Sequence, residues 1–267
     1  MRDETRALPF ATGARAVFDL ALEGMAWTRR TLLMGVLVGL PVVLAVVYRV
    51  VLATRPQAEL LPPADLYALV VAVYWLRNVL PLVALFFATA LVADEVEGRT
   101  LTYLLTRPLT RASIFAGKFA AYLVTTLALA LPSAVLTFFL LLSARPGLSS
   151  AVPDLLRDLA VLALGLVAYG ASFALLGVLL KRPVIPGLLF LYGWELLANL
   201  PGYLPRFTLT AWLRSLVHHR PAEEGLAGLF QQVLPAGPAV AVLVIASAAF
   251  LAAAAWIFST REYVLEQ

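Results

Sequence analysis

Residues 94–118 read DEVEGRTLTYLLTRPLTRASIFAGK, a charged, helix-forming stretch set between two long apolar runs. Asp94, Glu95 and Glu97 follow the first run directly, and Gly98 permits a tight reversal that a β-carbon would resist. A short helix is predicted to resume with Leu101, Leu104 and Leu105 on one side and Arg99, Thr102 and Thr106 around it. It must stop near Arg107, because Pro108 disfavours helix in the residue before it. Thr110 or Ser113 can cap the next helix, which carries Arg111, Gly117 and Lys118 into the second apolar run. A span, a turn, an amphipathic helix and a capped return have the layout of a lever. A plain linker needs only a few residues and little pattern, whereas a merely solvated face would also account for the acids and arginines.

Composition sets the class. Hydrophobic residues make up 62% of the chain and charged residues 13%, outside the range of soluble domains, so an all-α protein with several membrane spans is expected. The chain has no cysteine, which removes disulfides, thiolate metal sites and a cysteine nucleophile. The net charge of +4, mostly arginine, reads as an orienting feature of a membrane protein and not as a nucleic-acid footprint. No cleavable signal peptide is read in the first 30 residues, which hold arginines throughout.

Working outward, residues 1–30 are polar and then weakly amphipathic. Arg15, Asp19 and Glu23 share one face, and Val17, Leu20, Ala21 and Trp27 gather elsewhere, as in an interfacial helix or a loosely ordered tail. Six spans are predicted, at residues 31–52, 66–93, 119–142, 155–180, 184–200 and 233–258, each near the ~20 residues that a ~30 Å hydrocarbon core requires. Gly35 and Gly39 stand at GxxxG spacing in the first, where Pro41 can kink the helix. Arg77 is expected near the outer interface as a snorkelling anchor, and Asp154 and Asp158 at a helix N-terminus. Residues 201–232 read as short helices resting in the outer surface. Twelve of the 20 lysines and arginines then fall on the inside, which agrees with cytoplasmic termini.

The pattern Glu95-x-Glu97, Thr100, Leu104-Leu105, Arg107-Pro108, Arg111 and Gly117-Lys118 resembles the signature of ABC-2 transporter permeases, specifically the group that includes the nitrous-oxide-reductase accessory permease. The span count, the surface helix and the long outer segment extend the likeness over nearly the whole chain. The resemblance implies that residues 94–118 form a coupling helix docking into a separate ATPase subunit. Glu95, Glu97, Gly98, Thr100, Leu101, Leu104, Leu105, Arg107, Pro108 and Arg111 would be the coupling positions. It further implies an exporter in a bacterial inner membrane, working as a homodimer or beside a related permease. Its second and fifth spans would border the path, which makes Asn78 and Glu195 candidates for it.

Other motifs are weaker. A phosphate-binding loop needs G-x-x-x-x-G-K-[ST], but Gly117-Lys118 is followed by Phe119 and preceded by Ala112 where the first glycine belongs. ATP is therefore expected on a partner subunit, with no cofactor on this chain. Glu195, about 16 Å along its span from Val184, can pair with Arg77 or Arg49, sit at the outer interface beside Trp194, or face cargo. His218 and His219 are adjacent, and so point apart on a helix, and Pro221 interrupts before Glu223 and Glu224; no metal site is expected. The contrasting reading is a non-transporting scaffold, or an intramembrane enzyme using residues 201–232.

Overall fold

The computed structural model describes residues 9–26, 28–55, 60–91, 109–143, 148–200, 202–217 and 234–260, and all regular structure among them is helical. The helices are α1 (Phe10–Ala26), α2 (Arg29–Thr54), α3 (Pro63–Ala88), α4 (Arg111–Leu142), α5 (Leu148–Leu179), α6 (Val184–Ala198), α7 (Leu209–Leu216) and α8 (Ala236–Thr260). Five of them, α2, α3, α4, α5 and α8, are long and apolar enough to cross a membrane. The protein is a multi-pass membrane protein.

The count corrects the expectation of six continuous spans. Helix α6 has 15 residues, about 22 Å at 1.5 Å per residue, and falls short of a ~30 Å core. It loosens into a π turn at Phe190–Trp194 and a 3₁₀ turn at Glu195–Asn199, and the chain then passes through a second 3₁₀ turn at Leu204–Phe207 into α7. Helix α7 climbs beside α5. The Tyr169 and Thr210 hydroxyls bond at 2.7 Å at its start, and Arg157 Nε donates to the Leu216 carbonyl at 2.9 Å at its end. Helices α6 and α7 laid end to end would measure about 34 Å. The expected fifth span is thus not one continuous helix but a short helix followed by a second one. Part of the stretch assigned to the outer surface, residues 209–216, is instead packed into the bundle against α8 and α5.

Helix α5 is the centre, packed against α3, α4, α7 and α8. Close approach needs small residues, since lipid tails supply no hydrophobic drive between helices. A β-carbon on Gly177 would stand 2.7 Å from the Thr89 carbonyl oxygen of α3. At the periphery, a β-carbon added to Gly35 or Gly39 would meet nothing within 4 Å, so no helix among the described residues packs closely on that GxxxG face. Helix α5 also begins earlier than expected. Asp158 is therefore not at a helix start but 2% exposed inside the bundle, accepting from the Tyr67 hydroxyl at 3.1 Å.

Helix α1 lies along the start of α4, burying Gly13 and Val17 while Leu20 stays exposed. A β-carbon on Gly117 would run into the Ala14 carbonyl oxygen and stand 3.0 Å from Val17 Cβ. Backbone cannot yield as a side-chain tip can. Gly117→Ala is therefore expected to pry α1 off α4 and cost about 1–3 kcal/mol, read as a lower melting temperature in detergent with new proteolytic cleavage within Phe10–Ala26.

Candidate functional site

Two places carry the polar residues singled out in the sequence. The first is the end of the bundle where α3 finishes and α4 begins. Of the coupling positions only Arg111 lies among the described residues; Glu95, Glu97, Gly98, Thr100, Leu101, Leu104, Leu105, Arg107 and Pro108 lie outside them. The flanks are described in full. Thr110 is the cap of α4, its hydroxyl accepting from Ser113 N–H at 3.3 Å, while Ser113 Oγ donates back to the Thr110 carbonyl at 2.7 Å. Lys118, 6% exposed, reaches across to donate to the Leu91 carbonyl at 2.8 Å. Arg111 Nη1 donates to the Ser259 carbonyl near the end of α8 at 3.2 Å. Arg111 thus sits on a carbonyl near the C-terminus of α8, where it satisfies an acceptor and opposes the negative end of the dipole, and Lys118 satisfies the carbonyl of a residue three beyond the end of α3. The two ends of the 92–108 stretch are thereby braced to one another and to the last helix.

The second place is a cleft of about 100 Å³ half-way along the bundle, where α3, α6 and α7 meet. It brings the two path candidates together: Asn78 and Glu195 line it with Arg77, Tyr192, Thr210 and Arg214. Arg77 stands near the middle of α3, not at its outer end. Arg49, the other suggested partner of Glu195, is held elsewhere, donating to the Leu140 carbonyl and to Ser143 Oγ.

Glu195 has a definite task. Its two carboxyl oxygens accept from Leu209 N–H at 3.1 Å and Thr210 N–H at 3.0 Å, and the Thr208 hydroxyl accepts from Ala211 N–H at 3.4 Å. A helix begins with unpaired amide groups, and at membrane depth no water is present to take them. The acid that opens the 3₁₀ turn at the end of α6 therefore makes the start of α7 possible. The residue itself is 6% exposed.

Asn78 is positioned by an irregularity that the sequence did not announce. Val70–Val79 is wound as a π-helix, and Asn78 Nδ2 donates to the carbonyl of Val73, five residues back, at 2.7 Å. Nine residues of α-helix turn about 900° and would set Asn78 opposite Leu69; at the ~4.4 residues per turn of a π-helix they make about two full turns and set both on one face. Leu69, Tyr74 and Asn78 accordingly line a single apolar groove of about 490 Å³ against α2. The Tyr74 hydroxyl donates to the Leu37 carbonyl of α2 across it.

Thr210 and Arg214 were missed as site residues because residues 201–232 were read as lying on the surface, and Tyr192 because only Glu195 was singled out in the span at 184–200. The amphipathic spacing of Leu209, Leu213 and Leu216, all buried, was the available signal. Among the described residues no group of three or more His, Asp or Glu could hold a metal ion; His218, His219, Glu223 and Glu224 lie outside them. Replacing Glu195 with alanine leaves two buried amides without acceptors, at about 1–3 kcal/mol each. Glu195→Ala is expected to lower the melting temperature markedly and to open α7 to amide hydrogen exchange, with Glu195→Gln, which retains one acceptor oxygen, falling between it and the parent.

No match was found among curated proteins. A family model described as ABC-2 family transporter protein matches residues 20–193, from within α1 to the π turn of α6 and so through four of the five spans. Permease domains of this family are typically non-catalytic, and a permease of this kind implies an ATPase partner in general. On a match that covers more than half of its length, this chain belongs to the ABC-2 family of transporter membrane proteins.

Proposed function

We propose that the chain is the membrane subunit of an ABC exporter, that it works as a homodimer or beside a related permease, and that separate ATPase subunits drive it through residues 94–118. The observation that carries this reading is the bracing around that segment. Lys118 ties the start of α4 to Leu91, three residues past the end of α3, and Arg111 ties it to α8. A push on the segment would reach three membrane helices at once, which a passive linker has no need to do. Glu95 and Glu97 would meet the ATPase, with Leu101, Leu104 and Leu105 seated in its cleft. α1, the end of α3, the starts of α2 and α4 and the end of α8 would then face the cytoplasm, in keeping with Arg29, Arg30, Lys181 and Arg182 at that end.

Closure of the ATPase subunits would move the coupling segments inward, and α3 would carry the displacement to the cleft at Arg77 and Asn78. In an exporter, cargo would then be released on the side away from the ATPase. The experiment is co-purification from a neutral detergent. The complex is expected to retain an ATPase, and the paired charge reversals Glu95→Lys and Glu97→Lys are expected to release it, or to leave its hydrolysis insensitive to the permease, with the permease still monodisperse. A permease that never retains an ATPase, or reversals without effect on the coupled rate, would refute the reading.

A further inference from the structure

Asn78 borders two cavities of opposite character. On one side is the apolar groove between α2 and α3, lined by Leu40, Val43, Val47, Val70, Val73 and Tyr74. On the other is the small cleft lined by Arg77 and Arg214, with Glu195 and Thr210 at its floor. Neither Glu195 oxygen is idle, since each is held by a backbone amide. Arg77 forms no ion pair among the described residues, and it is exposed at mid-span. A guanidinium at such depth is costly unless an anion meets it, and an intramembrane charge of this kind marks a ligand or a pathway. The groove alone would take any lipid tail, and the cleft alone any small anion. Their junction at Asn78 selects a molecule that has both parts.

We propose that an anionic amphiphile binds across Asn78, with its charged head in the cleft beside Arg77 and its chain in the groove between α2 and α3. The guanidinium pairs with the phosphate or carboxylate, and the Asn78 carboxamide stands at the boundary where the molecule changes from polar to apolar. The cleft is too small for a whole amphiphile and suits one anionic group, and the groove is nearly five times larger. Val43 and Val47 of the groove wall are about half exposed, so the chain can enter sideways from the bilayer. This reading rests on the permease assignment and names the chemical class of its cargo.

The test uses the full chain in nanodiscs of equal parts phosphatidylglycerol and phosphatidylcholine, with retained lipid counted by native mass spectrometry on release. Phosphatidylglycerol should be retained about tenfold over phosphatidylcholine, the size expected for one charge-assisted bond. Arg77→Gln should erase the preference and Arg77→Lys should keep most of it. Val73→Phe, which narrows the groove and leaves the cleft untouched, should lower phosphatidylglycerol retention and also serves if Arg77→Gln does not purify. Equal retention of the two lipids, or a preference indifferent to Arg77→Gln, overturns the proposal. Phosphatidylcholine discs with added inorganic phosphate form the second arm. Arg77-dependent capture of phosphate with no lipid preference would assign the cleft to a soluble anion and also overturns it. None of these outcomes depends on an ATPase, so failure here leaves the permease reading standing, and loss of the ATPase partner would leave lipid retention unchanged.

Discussion

A helix cannot begin inside a bilayer unless something other than water accepts its first amide protons. In this protein the acceptor is Glu195, and much of the outer half of the bundle follows from it. The carboxyl group fixes where α7 starts, and Thr208 takes the next amide. The far end of α7 is closed by Arg157, and its middle rests on α5, where Gly165 leaves room for Leu213. Because α6 ends and α7 begins at this point, a gap opens beside α3, and polar side chains on three helices come to face it. An acid that looked like an isolated charge in an apolar run is thus a structural part of the cavity it lines.

The opposite end of the bundle is organised by cations on backbone carbonyls, one just past α3 and one near the end of α8. Lys118 and Arg111 do for the ends of α3 and α8 what Glu195 does for the beginning of α7, and each bond is made across the bundle between residues far apart in sequence. Helix α3 joins the two regions. Its end is held by Lys118, and its centre, wound as a π-helix, carries Arg77 toward the cleft and Asn78 toward both cavities. In the proposed cycle this one helix connects the place where force enters to the place where cargo binds.

Much of this was legible in the sequence, for identifiable reasons. Long apolar runs flanked by charge gave α2, α3, α4, α5 and α8, since hydrophobic length is dictated by the bilayer and little else. Thr110 and Ser113 were both candidates to cap α4, and the bond from Ser113 N–H to the Thr110 hydroxyl assigns the cap to Thr110. The fifth expected span is not continuous because a run from Val184 to Leu200 has span-like composition, while what interrupts it involves a tertiary bond from Glu195 to amides 14 and 15 residues onward. Asp158 misled in the same way: an acid after a proline resembles a helix start, and only Tyr67, 91 residues away, reveals it as buried. The π winding of Val70–Val79 leaves no periodic trace, because an all-apolar stretch reads alike at either pitch. Asn78 and Glu195 were both singled out, but nothing in the chain said that they would line one cleft.

In the proposed permease α6 and α7 together complete one crossing, so that the turn after α5 and the end of α8 lie on the same side of the membrane. Because the chain has no cysteine, single cysteines can be placed at Arg182, Thr260, Pro62 and Pro235 and labelled with a membrane-impermeant maleimide in vesicles of known orientation. The account predicts that Arg182→Cys and Thr260→Cys label from one side, and that Pro62→Cys and Pro235→Cys label from the other. Labelling of Thr260→Cys from the side opposite to Arg182→Cys would contradict it.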